Sequence, residues 1–249
     1  MILSHREIEE IAAAVMKDFN QLYYRNRFNN HNRKIPLPQG TPIDEFASWY
    51  LKLKVSYTHL SSDGTFCGLT AYADTEYTCE IDGITRTISL EQNEVLLDNS
   101  FIQPDNVERL LGKRRFTLAH ECAHQILFQL ENDDGKAACR RQYAARHCYS
   151  LRDLKSREDW NEWQANALGA AILMPMEEVE IASQSCLHGR KLMSFEGRMP
   201  YMDRGRLDSL CKYFGVSKSA MRIRLKQLGC LEERPASEFY DPLEIYANE

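Results

Sequence analysis

Residues Arg114 to Leu130 read RRFTLAHECAHQILFQL, and within them His120, Glu121 and His124 spell H-E-x-x-H. On an α-helix, residues four apart stand nearly one above the other, about 6 Å along the axis, so the two imidazoles face one point in space. Two side chains so placed can grip a single metal ion. Zinc takes imidazole nitrogen at roughly 2.0–2.1 Å, and a catalytic site supplies three protein ligands while leaving the last position to water. Glu121 follows His120 directly, where its carboxylate can take the proton of that water while the metal polarises a carbonyl under attack. The competing reading is an ordinary amphipathic helix, with Thr117, His120, Glu121, His124 and Gln125 on one stripe and Leu118, Cys122, Ala123, Ile126 and Leu127 on the other. Against it, solvated faces are rich in Lys and Glu, and the run Lys113, Arg114, Arg115 stops where the stripe begins.

Such a site needs a third ligand. Arg157 to Met174 is the next strong helical pattern, with Ala165, Leu168, Gly169, Ile172 and Leu173 as its apolar stripe, ending before Pro175. Glu162 and Asn166 lie four apart on one face near its start. If this helix packs against the first, Glu162 completes a His2Glu set, which suits Zn2+ and leaves Mn2+ or Fe2+ open. Asn166, one turn on, can then accept the free N–H of a ligating histidine. Glu158 and Asp159 compete for the ligand role. Glu162 can equally be a helix N-terminal carboxylate favoured by the macrodipole.

RRFTLAHECAHQILF followed by EWQANALGAAILMP resembles the ImmA/IrrE family of metallo-endopeptidases, gluzincin-like HExxH zincins. Its members show an F-T-x-A-H-E-x-x-H helix and an E-x-x-A-N helix closing in L-M-P. The resemblance runs over most of the chain. It implies His120, His124 and Glu162 as metal ligands, Glu121 as catalytic base, and a protein substrate such as a helix-turn-helix transcriptional repressor. Cys122, Ala123 and Gln164 depart from the family pattern without removing a ligand. Cys122 places a thiol beside the site, an expected point of oxidation sensitivity.

Around these motifs the expected fold is α+β: a zincin-like peptidase with a small, mostly antiparallel sheet, the HExxH helix and a helical C-terminal region. Ser4 to about Tyr23 reads as a packing helix, Arg25 to Thr41 as a loop, and Asp44 to about Leu53 as a short helix. Between Val55 and Asp98 come five β-prone pieces, with Asp63-Gly64 and Asp82-Gly83 as hairpin signals. Glu94 to Asp98 is the candidate edge strand for holding an extended peptide. Residues 131–156 read as a polar loop or loosely helical lid. There Tyr143, His147 and Tyr149 are candidate oxyanion donors, and Cys139, His147 and Cys148 a candidate second metal site.

The domain reading is a metallopeptidase domain over 1–199, a helix-turn-helix-like region over 200–230 and an acidic tail over 231–249. In the middle part Leu207, Leu210, Phe214, Ala220, Ile223 and Leu225 are the expected packing residues, and Ser217 the cap of the second helix. Seven basic residues against Asp208 between Arg204 and Lys226, with Arg222, Arg224 and Lys226 on the would-be recognition helix, motivate the rival reading. That rival is a DNA-binding regulator keeping its metal as a structural or sensing element. A protein-docking surface is favoured over DNA contact.

Composition narrows the classes. A net charge of -5 argues against a wholly basic nucleic-acid binder. The start, MILSHREIEE, lacks the apolar core of a secretory signal, and no apolar run approaches the ~18 residues of a membrane span. Eight scattered cysteines with no C-x-x-C fit reduced thiols in a cytoplasm.

Overall fold

The computed structural model describes residues 1–30, 40–60, 66–81, 83–139 and 157–241. Its packing falls into two compact units, Met1–Leu173 and Met174–Glu249. Helices and small sheets mix in an α+β arrangement. Tyr143, His147, Cys148 and Tyr149, and with them the candidate oxyanion donors, lie outside the described residues, so the second metal site they share with Cys139 falls there too.

The first unit begins with α1 (His5–Asn30), started by a reciprocal cap. Ser4 Oγ accepts the Glu7 N–H at 3.3 Å and the Glu7 carboxylate takes the Ser4 N–H at 2.8 Å. Ile8, Ala12, Met16 and Phe19 bury one face at three- and four-residue spacing. The helix passes the expected end at Tyr23 because Tyr24 to Asn30 contains neither Gly nor Pro. The next helix, α2 (Ile43–Glu45), continues as a π-helical turn, Phe46–Tyr50. Its Phe46 ring meets Phe19 edge-on at 5.1 Å.

The strands are β1 (Lys54–Thr58), β2 (Gly68–Thr70), β3 (Thr75–Ile81), β4 (Ile84–Leu90) and β5 (Glu94–Asp98). β3 and β4 form the antiparallel hairpin expected around Asp82-Gly83, pairing as far as Ile81↔Ile84. The other three make a sheet of order β1-β5-β2, and two expectations are corrected there. First, the sheet is mixed: β1 lies parallel to β5, because a chain that leaves β1, builds a hairpin and returns can lay its last strand in the first one's direction. Second, Glu94–Asp98 is the central strand, paired on both sides. Its five residues are all buried, with Asp98 accepting the Leu60 and Ser100 N–H groups at 2.9 Å each. The strand at the sheet's edge nearest the H-E-x-x-H helix is β2, which is itself buried.

The H-E-x-x-H helix is α3 (Leu111–Leu130), followed by α4 (Asp133–Cys139) and α5 (Arg157–Leu173). α3 packs chiefly on α5 and also on β2 and β5. Its N-terminal end is held by the basic pair that precedes the polar stripe. Arg114 donates two hydrogen bonds to the Asp44 carboxylate, at 2.7 and 2.8 Å, and one to Tyr57 Oη at 3.0 Å. Arg115 donates to the Thr41 carbonyl at 2.7 Å.

The second unit contains α6 (Met176–Leu187), β6 (Leu192–Phe195), α7 (Tyr201–Phe214), α8 (Lys218–Gln227) and β7 (Leu231–Arg234). Ser217 caps α8 as expected, accepting the Ala220 N–H at 3.2 Å. Met221, Arg224 and Leu225 face inward, one helical stripe, and this register turns Ile223 out to 60 % exposure against expectation. The parallel pair β6–β7, with one strand in the span read as peptidase domain and the other in the span read as acidic tail, is an element that periodicity misses. Four residues are too few to show it.

Candidate metal centre

Nine consecutive residues of α3, Thr117 to Gln125, are buried, so its polar stripe is no solvated face and the ordinary amphipathic reading fails. Polar groups taken out of water need partners, and the helix divides them between two neighbours. Thr117, Glu121 and Gln125, spaced at four, face β2: Gln125 Nε2 donates to Thr70 Oγ1 at 2.7 Å and to the Ala71 carbonyl at 3.0 Å. His120 and His124 face α5.

The crossing with α5 is close because Gly169 has no side chain. A Cβ there would lie 3.0 Å from the His120 main-chain nitrogen and 3.1 Å from the Ala119 carbonyl carbon. Glu162 lies seven residues, two turns, before Gly169 and therefore on the same face. The contact delivers its carboxylate to the imidazoles: Oε2 is 3.2 Å from His120 Nε2 and Oε1 is 3.2 Å from His124 Nε2. The two Nε2 atoms are 2.9 Å apart, with the rings edge to face. His120, His124 and Glu162 are the residues that sequence spacing pairs, and among the described residues this is the group whose donor atoms gather within 4.8 Å. Glu162, rather than Asp159, is the α5 carboxylate brought to the pair.

Three buried Lewis bases pointed at one another repel unless a positive charge lies among them. A tetrahedral ion with bonds of roughly 2.0–2.1 Å separates its ligand atoms by about 3.3 Å, close to the spacings here. The donor set thus fits a divalent metal and could hold one. Burial would raise the Glu162 carboxyl, but the charge of His124 and the hydrogen bonds from both rings outweigh it and hold the group far below its ordinary range.

Glu121 is wholly buried, its Oε1 directed at Gly68 of β2, where a Cβ would come within 2.8 Å. Asn166 is half-buried on α5, and among the described residues no hydrogen bond joins it to either imidazole. Cys122 corrects the oxidation expectation. It lies on the core side with no exposure, and burial, then the nearby Glu121 charge, pushes its thiol well above the ordinary value. A neutral, inaccessible thiol is inert. The bonding of Gln125 to β2, Gly68 and the role of Gly169 escape the sequence reading. The i, i+4 spacing of Glu121 and Gln125 was the available signal for the first.

A small cleft beside His124 is lined by Tyr72, Leu127, Phe128, Glu131, Asn161 and Gln164, together with Met1. Gln164 accepts the Leu3 N–H at 2.5 Å, and the Met1 amino group meets Glu131 Oε1 at 2.5 Å.

The second unit answers the rival reading. Arg224 is 1 % exposed and its Nε donates to the Met174 carbonyl at 3.0 Å. Arg222 donates to Ser194 Oγ at 2.8 Å and to the Gly197 carbonyl at 3.2 Å. Lys218 pairs with Asp208 at 2.7 Å. Two of the three cations assigned to a recognition helix therefore serve the fold, which leaves little on α8 for a phosphate backbone.

Comparison with known families agrees with the geometry. The family model described as an IrrE N-terminal-like domain, peptidase family M78, matches residues 110–226, a span that takes in all three members of the buried cluster. No curated protein matches the chain. Among the described residues no helix is long and apolar enough to cross a membrane.

Proposed function

Residues 110–226 carry a domain of the ImmA/IrrE family, and on that premise we propose that the protein is a zinc-dependent endopeptidase of zincin-like fold, acting in the cytoplasm on a regulatory protein. The observation that carries the reading is the convergence of Glu162, from a separate helix, on His120 and His124 at 3.2 Å each. These three residues would hold the ion. A zinc ion bound there supplies a Lewis acid for the scissile carbonyl and lowers the pKa of its water.

The chain's own part is acid–base chemistry. Glu121, next to His120 and wholly buried, takes a proton from the attacking water and returns it to the departing amine. Exclusion of bulk water around its carboxylate strengthens that exchange. Buried His120 and His124 keep their Nε2 atoms turned to one point because their rings are wedged between α3 and α5.

The substrate we propose, on the family resemblance, is a helix-turn-helix transcriptional repressor. Zinc-loaded protein incubated with such a repressor from the same locus is expected to release two fragments of defined mass. Glu121→Gln should keep one zinc per chain and slow cleavage about 10²–10⁴-fold. Undiminished cleavage by that variant, or release of repressor with no fragment, contradicts the reading.

A further inference from the structure

Strand β2 is gripped from two sides. Gln125 of α3 holds it through Thr70 and Ala71, and β5 holds it in the register Gly68↔Leu97 and Leu69↔Leu96. It can retreat from neither. At the point where α3 comes nearest stands Gly68, where a Cβ would fall 2.5 Å from Thr117 Cγ2, 2.8 Å from Glu121 Oε1 and 3.3 Å from Leu97 Cδ2. Carbon atoms in contact prefer about 3.5–4.0 Å, so all three neighbours would be crowded at once.

We infer that Gly68 is a positioning residue for Glu121: its missing side chain leaves the space in which the carboxylate stands. The consequence for catalysis rests on the peptidase reading above. The two nearest contacts differ in kind. Thr117 is β-branched, and its hydroxyl donates to the Lys113 carbonyl at 3.0 Å, so its methyl cannot turn away and a clash there costs stability. The Glu121 carboxylate ends a flexible chain and yields, which costs position chiefly and stability less. A displacement of about 1 Å at a reacting group can slow turnover on the order of 10²-fold.

The test uses the zinc-loaded full chain with Gly68→Ala, Thr117→Ser and Glu121→Ala, singly and in pairs, and the repressor as substrate. Serine keeps the hydroxyl and removes the methyl. Gly68→Ala is expected to lower Tm, and to lower it less when either Thr117→Ser or Glu121→Ala is already present. The pair Gly68→Ala/Thr117→Ser should regain most of that Tm and bind one zinc like the parent. Its kcat should stay about 10- to 10²-fold down with KM unchanged. A purely structural role for Gly68 predicts instead that kcat recovers in step with Tm, and that result overturns the inference. So does a Tm loss indifferent to both second changes, or a Gly68→Ala chain that Thr117→Ser fails to return to the folded state, since the obstruction would then be the sheet at Leu97. If the parent protein cleaves nothing, the peptidase reading falls, while the unfolding coupling between positions 68 and 121 still decides whether Gly68 keeps the place of Glu121.

Discussion

The polar stripe of α3 and the basic stripe of α8 look alike in the sequence: each sets charged or metal-ligating side chains at helical spacing between apolar neighbours. In the structure the stripe of α3 is buried throughout, whereas on α8 Arg224 is buried, Arg222 half-buried and Lys226 exposed, and the two part over what their polar groups meet. Arg224 and Arg222 reach carbonyls and a hydroxyl that have lone pairs to offer, so those cations are satisfied by the fold they hold together. His120, His124 and Glu162 reach one another, three ligand-type side chains converging on one point. A buried polar cluster satisfied by main chain is scaffold. One made of mutually facing ligand side chains can hold a cation.

The contrast can be broken most severely at Gly169. Gly169→Val would set a branched side chain against the His120 main chain, where even a Cβ comes within 3.0 Å, and part the helices that carry the ligands. Expected are a stability loss of about 1–3 kcal/mol or more from overpacking and loss of zinc binding, read by calorimetric titration. Retained binding would mean that the helix crossing is not what delivers Glu162.

Arg224→Ala sharpens the contrast from the other side. Removing a side chain that is 1 % exposed and bonded to the Met174 carbonyl should cost about 2–4 kcal/mol in packing and an unsatisfied acceptor. Zinc stoichiometry should not move. A variant of normal stability that lost salt-dependent binding to duplex DNA would return α8 to the recognition role.

The smallest effect belongs to the clamp at the start of α3. The Arg114 guanidinium, bonded to Asp44, holds that carboxyl below its ordinary range despite partial burial. A carboxyl depressed in the folded state stabilises the protein above its unfolded pKa, about 3.9, and loses that contribution as pH falls through the folded value. Asp44→Asn should therefore flatten the fall of Tm below about pH 4. Near neutral pH it should cost under about 1 kcal/mol, because the Asp44 side chain is 51 % exposed. An unchanged acid limb would show that the pair adds nothing to folding.

What the sequence discloses follows from the reach of each signal. His120 and His124 were legible because four-residue spacing fixes their geometry within one helix, and Glu162 because its motif sits at the start of a second strongly patterned helix. Its preference over Asp159 depends on where α5 crosses α3, a tertiary fact set by Gly169. The central place of β5 was hidden for the same reason: alternation shows that a strand exists, while its partners are chosen by the path of the chain. Arg224 misleads because a charged residue in a basic run reads as solvated, and a main-chain acceptor fifty residues away leaves no trace in local pattern. Gly68 gives no local sign at all, since what matters is the side chain that is missing opposite Glu121.

The claim beneath all of this is that three side chains from two helices hold one metal ion. Zinc titration of the full chain beside its Glu162→Ala variant tests it directly. The account predicts one ion per chain in the parent and none retained in the variant; equal binding by both, or none by the parent, would contradict it.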